Sequence, residues 1–213
     1  MALKNYRTLA KPAVAEFTER KSRFIASVRP VANEAEALDF IAQIRSKYYD
    51  ATHNVHAYIM RENNIQRYSD DGEPNGTAGI PVLEVMRKEN ICDAVVVITR
   101  YFGGIMLGAG GLVRAYGSAC KMGIDESTIV ERVLCDVFEI TTDYNMLGKL
   151  QYYINENGFI LENTEYLQEV KLTLLSEEQY SQKLVQDITE LTNAQARCKN
   201  AGKKFIDKPL HRY

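Results

Sequence analysis

Residues 95–116 read VVVITRYFGGIMLGAGGLVRAY, and this stretch decides the fold of the first half of the chain. Four consecutive β-branched residues open it, at 95–98. Such an unbroken apolar run is typical of a strand buried on both faces. Glycines then cluster over residues 103–111, and from Gly111 onward the apolar residues recur at helical spacing. The stretch therefore predicts a buried strand, a glycine loop and a helix, in that order.

The junction of the glycine loop and the helix has two interpretations. The first turn of a helix presents unpaired N–H groups and the positive end of the dipole, which favour phosphate or carboxylate. Neither the GxGxxG fingerprint nor the GK[ST] ending of a P-loop is present. The alternative is that the glycines serve only tight packing, and that the arginines pair with acids of residues 70–73. On the first interpretation, the anion- or nucleic-acid-binding residues are Arg23, Arg100, Tyr101, Gly103, Gly104, Gly110, Gly111 and Arg114.

Length and composition indicate a globular protein. The chain has 213 residues, of which 46% are hydrophobic and 25% charged, and this length suits one large domain or two small ones. No apolar run reaches the length of about 18 residues that a membrane span needs. The N-terminal residues contain no apolar signal-peptide core, and the four cysteines form no CxxC pair. We therefore expect a cytoplasmic protein that does not insert into a membrane and has free thiols.

Charge is distributed unevenly along the chain. The net charge is −2, which argues against a general polyanion-binding protein. Residues 1–30 and 197–213 are nevertheless predominantly basic. The two basic ends form a nucleic-acid surface if the fold joins them, and otherwise they are two solvated segments.

Residues 67–81 read RYSDDGEPNGTAGIP and form the second unusual stretch. Glycine and proline predict a loop, and its three acids could hold a hard cation such as Mg²⁺. The same acids could instead accept hydrogen bonds from backbone N–H groups, which is the interpretation that we prefer. His53 and His56 would point to opposite faces of a strand, so a two-histidine metal site is not expected. We expect no metal and no cofactor, with Mg²⁺ as the alternative.

From about Cys135 the pattern of elements starts again. Strand and helix signals follow in the order βαββαβ, which is the ferredoxin-like arrangement. The whole chain is therefore predicted to be α+β with two domains.

Four motifs of the first half resemble the YigZ/IMPACT family. They are KSRFIA at 21–26, THN at 52–54, the loop at 67–81 and the stretch at 95–116. Many relatives have cysteine after His-Asn, whereas this chain has Val55, which weakens any proposal of a thiol at that position.

The resemblance implies an N-terminal domain over residues 1–134 and a ferredoxin-like domain over 135–213. The first is similar to a domain of a small-subunit ribosomal protein, with helices on one face of a sheet. The second is similar to the C-terminal part of elongation factor G. Eukaryotic relatives regulate translation initiation by competing for the activator of a kinase. A role in translation is thus an analogy from the fold.

Two functions follow. The preferred one is a non-catalytic, translation-linked regulatory protein that binds RNA, the ribosome or a protein partner. Arginines would contact phosphate, and Tyr101 or Phe102 would stack on a base. The alternative is a metal-assisted hydrolase or transferase acting on a phosphorylated or peptide-like substrate. Its catalytic residues would be His53, Asp70, Asp71 and Glu73, with Arg100 steadying an oxyanion. No oligomeric state is predicted.

Overall fold

The computed structural model describes residues 5–210, which form two sheets and five helices. The α+β class is confirmed. Of the described residues, one compact unit contains 6–131 and 208–210, and the other contains 5 and 132–207. We call them the N-terminal and C-terminal units. Parts of the predicted basic ends, at residues 1–4 and 211–213, lie outside the described residues.

The N-terminal unit is built on a five-stranded sheet in the order β2-β3-β6-β4-β5. The neighbouring strands of this sheet are antiparallel. In chain order the elements of the N-terminal unit are β1 (Tyr6–Leu9), β2 (Ala13–Glu19), β3 (Ser22–Pro30), α1 (Glu34–Lys47), β4 (His53–Met60), β5 (Ile65–Ser69), α2 (Gly79–Lys88), β6 (Ala94–Tyr101) and α3 (Ala109–Ser127).

Helices cover both faces of this sheet, which explains the unbroken apolar run of β6. Val96 and Ile98 belong to the core formed with α2 and α3. Val95 and Val97 point the other way and pack with the buried residues of α1. The buried strand was predicted correctly. The expectation of helices on one face alone was wrong, because a strand with apolar side chains on both faces needs a cover on each.

Helix α1 begins after Asn33, which caps it. The Oδ1 of Asn33 accepts the N–H of Glu36 at 2.9 Å. The Glu36 carboxylate in turn accepts the N–H of Ala32, also at 2.9 Å. This reciprocal arrangement satisfies N–H groups that a helix start otherwise leaves unpaired.

The C-terminal unit has the predicted βαββαβ order. Its elements are β7 (Ile129–Thr142), α4 (Tyr144–Glu156), β8 (Ile160–Tyr166), β9 (Val170–Glu177), α5 (Glu178–Leu191) and β10 (Arg197–Pro209). Strand β9 lies between β7 and β8, and β10 also pairs with β7. Its core is formed where α4 and α5 pack on the sheet, with Leu150 and Leu184 fully buried. The predicted domain boundary between residues 134 and 135 falls inside β7.

Among residues 5–210, no helix is long and apolar enough to cross a membrane.

Candidate functional site

Arg100 lies at the end of β6 and is buried, with 5% of its surface exposed. Its Nη1 donates to Oε1 of Glu73 at 2.6 Å, and its Nη2 donates to the Ser22 hydroxyl at 3.3 Å. Its Nε–H is buried and has no hydrogen-bond partner within residues 5–210. A buried guanidinium requires a carboxylate partner, and Glu73 provides it. Arg100 is therefore not exposed at the end of the strand, where the anion-site hypothesis needs it.

The carboxylate of Glu73 joins its own loop to β6 and α3. Besides Arg100, its Oε1 accepts the Tyr116 hydroxyl of α3 at 2.7 Å. Burial raises the pKa of Tyr116 above its ordinary value, and the charge of Glu73 raises it further. The Tyr116 ring also packs edge-on against Phe24, with 5.3 Å between ring centroids. We call Glu73, Arg100 and Tyr116 the buried network.

His53 stands beside the buried network because it is paired with Arg100 in the register of β4 and β6. Its Nδ1 lies 2.8 Å from the carbonyl oxygen of Asp71, so Nδ1 carries the proton and donates it. In the neutral ring Nε2 is then an acceptor, and it lies 3.8 Å from Oε1 of Glu73. His56 is on the opposite face of the sheet, as the alternation of a strand predicted.

The acids of the loop at 70–73 are engaged by the protein itself. The Asp70 carboxylate accepts the N–H groups of Gly76, Ala78 and Gly79, at 2.9, 3.1 and 2.8 Å. It thereby caps the start of α2. Asp71 accepts the Asn54 N–H at 2.6 Å and forms an ion pair with Arg45, also at 2.6 Å. Within the described part of the chain, no group of three or more His, Cys, Asp or Glu side chains could hold a metal ion.

Arg23 and Tyr101 do not join the site that the sequence proposed. They face each other in the register of β3 and β6, next to the pair of Phe24 and Arg100. Neighbouring positions on a strand point to opposite faces, so Arg23 lies on the α1 side and Arg100 on the other. Arg23 is bound to Glu16 at 3.1 and 2.7 Å, and the Tyr101 hydroxyl donates to Asp50 at 2.8 Å.

Gly103 serves close packing. A Cβ there would lie 2.0 Å from the main-chain carbonyl of Lys21, in the turn between β2 and β3. Its N–H also donates to the Ser22 hydroxyl at 3.2 Å. Gly104 has φ +81 and open space around it, so it provides a conformation that other residues rarely adopt.

Among the described residues, no side chain caps the start of α3. Gly108 precedes the helix with φ 71 and has no side chain that could accept a hydrogen bond from the first turn. The first intrahelical bond runs from Leu112 N–H to Gly108 O, so the N–H groups of residues 109–111 precede it. Gly110 and Gly111 thus belong to the first turn of α3, which begins at Ala109 and not at Gly111, where the predicted helical spacing starts. Arg114 follows in the second turn, is exposed, and forms no ion pair with any residue between 5 and 210.

Two cavities flank this first turn. The larger has a volume of about 440 Å³, and its walls include His53, Glu73, Arg100, Phe102, Met106 and Ala109. The smaller has about 230 Å³, and its walls include Phe17, Glu19, Arg20, Gly111 and Arg114. Leu107 contributes to both. The structure therefore brings His53, Glu73 and Arg100 together, and places Arg114 in a separate, neighbouring cavity.

Sequence reasoning missed three members of this region. Ser22 and Tyr116 bind the buried network, and Arg20 lines the smaller cavity beside Arg114. Tyr116 falls within the helical spacing that follows Gly111, and its hydroxyl is the signal that the sequence offers, since a buried phenol needs a partner. No spacing in the sequence indicates Ser22 or Arg20.

Comparisons with known proteins agree with this architecture. The sequence model of the "Impact N-terminal domain" matches residues 20–124, and that of "Domain of unknown function (DUF1949)" matches residues 140–195. The chain is 40% identical over 210 residues to IMPACT family member YvyE of Bacillus subtilis, covering 98% of this chain and 97% of that relative. It is 29% identical over 150 residues to IMPACT family member YigZ of Escherichia coli, covering 69% and 74% of the two chains.

More distant similarities are restricted to part of the chain or to the fold. Protein IMPACT of Rattus norvegicus is 33% identical over 102 residues, which is 44% of this chain and 31% of that protein. A solved structure described as "Crystal structure of an hypothetical protein" shares the fold, with a TM-score of 0.59 and 24% identity. It covers 93% of this chain and 98% of its own.

The chain belongs to the IMPACT family. Membership supports, in general terms, a regulatory role related to translation.

Proposed function

We propose that this protein is a cytoplasmic, translation-linked regulator that binds single-stranded RNA, free or within the ribosome, at the start of α3. The observation that carries the proposal is Arg114, an exposed cation that pairs with no acid of residues 5–210 and lines a cavity beside an uncapped helix start. Phosphate is the ligand that such a combination favours, because the guanidinium and the free N–H groups both donate to anionic oxygens.

The smaller cavity supplies further positive charge. Arg20 lines it together with Arg114, and within residues 5–210 Arg20 has one ion pair, a long one of 4.0 Å to Glu19. Glu19 lies in the same wall and is about half exposed, so water screens much of its charge. The two arginine charges outweigh the screened charge of Glu19, which favours an anion bound in contact with both arginines.

Binding is preferred to catalysis because the candidate catalytic acids are already occupied. Both Asp70 and Asp71 accept backbone N–H groups, and Glu73 accepts from Arg100 and Tyr116. These contacts support structural roles for all three acids. The proposal requires no metal and no cofactor. Among the candidate catalytic residues, His53 has a ring nitrogen that forms no hydrogen bond within residues 5–210. Its Nδ1 is bonded to the Asp71 carbonyl, whereas its Nε2 lies 3.8 Å from Glu73.

The test is a titration of fluorescently labelled single-stranded RNA, followed by anisotropy at low salt. We expect Arg114→Ala to weaken binding by roughly fivefold to tenfold, because a charge-assisted phosphate contact is lost. The matched control is Arg67→Ala, which removes an exposed arginine of β5 that lines neither cavity. It should bind RNA as the parent does. Failure of the parent to bind RNA, or equal losses in the two variants, would contradict the proposal.

A further inference from the structure

We propose that the larger cavity holds one unpaired nucleobase of the bound RNA, while the phosphate next to it lies at Arg114. This inference rests on the proposed function and identifies the form of RNA that the site selects. A base can enter the cavity only when it is unpaired, so the site would distinguish single-stranded from duplex RNA.

The size and walls of the cavity suit a flat ring. Its volume of about 440 Å³ lies within the range of roughly 300–1,000 Å³ typical of small-molecule sites. Phe102 and Met106 are exposed by 48% and 83% at its wall, although both are apolar. An exposed aromatic ring beside a flexible thioether is the kind of surface on which a base stacks.

One polar atom, the Nε2 of His53, distinguishes the cavity from a simple apolar groove. The Nε2 of His53 is an acceptor whose distance of 3.8 Å to Glu73 is too long for a hydrogen bond. The Nε2 of His53 is thus an unused acceptor at the cavity wall. Each nucleobase presents an N–H donor on its edge to such an acceptor, whereas an apolar peptide side chain presents none.

The position of the cavity fits the proposed phosphate contact. Ala109 lines the larger cavity, whereas Gly111 and Arg114 line the smaller one, and Leu107 lies between them. The first turn of α3 therefore separates the two cavities. One nucleotide could place its base on one side of this turn and its phosphate on the other, where the arginines supply the complementary charge.

The test compares RNA forms and variants in the same anisotropy titration. Phe102→Ala removes the stacking surface, and Ala109→Trp fills the cavity from an exposed position at the start of α3. Each should weaken binding of single-stranded RNA by about tenfold, the usual scale for a lost stacked base. The control Ala109→Ser should bind as the parent does. Abasic and duplex RNA of the same length should bind weakly to the parent and be unaffected by these variants.

The outcomes separate this inference from the proposed function. If Arg114→Ala weakens RNA binding while Phe102→Ala and Ala109→Trp do not, the base pocket is refuted and the phosphate site stands. If the parent binds no RNA, both fail. If a peptide with an apolar side chain binds the parent and loses affinity in Ala109→Trp while RNA does not, the cavity recognises protein and the inference is overturned. Melting temperatures of all variants, measured alongside, establish that they are folded.

Discussion

Glu73 compensates the charge of Arg100 at a position where both side chains are buried. The two side chains are 3% and 6% exposed and lie 2.6 Å apart. We predict that Glu73→Gln lowers the free energy of unfolding by about 3–5 kcal/mol, because it leaves a buried charge without a counterion. Urea unfolding measures this loss. The matched control, Glu16→Gln, breaks the half-exposed pair with Arg23 and should cost at most about 1 kcal/mol. Equal losses would mean that Arg100 is solvated.

Tyr58 makes stability depend on alkaline pH. Burial raises its pKa to about 12, and the Glu34 carboxylate that accepts its hydroxyl adds to this shift. The unfolded chain loses the same proton near pH 10, so between about pH 10 and 12 the folded state binds more protons. The free energy of unfolding should therefore fall as pH rises through this window. For Tyr58→Phe, the free energy of unfolding measured in urea at pH 9, 10 and 11 should fall less steeply than for the parent. An unchanged slope would contradict the assignment.

At the level of single residues, the sequence predicted the orientation of side chains better than their partners. The alternation of a strand correctly placed His53 and His56 on opposite faces. The same alternation separates Arg23 from Arg100, although the anion-site interpretation of the sequence places both in one site. The pairing of Arg100 with Glu73 spans 27 positions. The sequence left this pairing open as the alternative to an anion site. No local spacing decides between the two, because the contact depends on how the loop folds back onto β6 and α3.

The loop between β6 and α3 depends on Gly103 for its approach to the hairpin of β2 and β3. That hairpin turns through Arg20 and Lys21, whose φ values of 45 and 63 are typical of a tight two-residue turn. Any Cβ at Gly103 would collide with the Lys21 main chain. We predict that Gly103→Ala lowers the free energy of unfolding by about 2 kcal/mol or more, since the main chain must shift.

Gly104→Ala is the matched control for Gly103→Ala. Its added Cβ meets nothing within 4 Å, so only the positive φ opposes it, at a cost of about 1–2 kcal/mol. Thermal unfolding compares the two variants. A Gly103→Ala variant more stable than Gly104→Ala would show that the close approach is not needed.

Among the elements, the apolar run of β6 was a better guide than the family resemblance. The run predicted cover on both faces, and α1 and the pair α2 and α3 provide it. The resemblance implied helices on one face. Periodicity reports how each strand is buried, whereas the position of a helix depends on contacts between residues distant in sequence, which a single sequence does not display.

In the molecule as a whole, the two units are joined without a loop at residues 131 and 132. Strand β7 continues from residue 129 to residue 142, and Val133 is 3% exposed. We predict that trypsin spares the bond after Arg132 in the native protein, because proteases require an extended, accessible main chain. Mass spectrometry of a timed digest measures this. The same bond should be cut in urea, and an early fragment beginning at Val133 would contradict the continuous strand.

The salt dependence of RNA affinity shows whether the start of α3 binds the phosphates of single-stranded RNA. For single strands, the logarithm of affinity falls with the logarithm of salt concentration by about 0.7 per phosphate neutralised. We predict that Arg114→Ala reduces this slope by about 0.7, whereas Arg67→Ala retains the slope of the parent. A slope that is the same for the parent and Arg114→Ala, or no measurable RNA binding by the parent at low salt, would contradict the account.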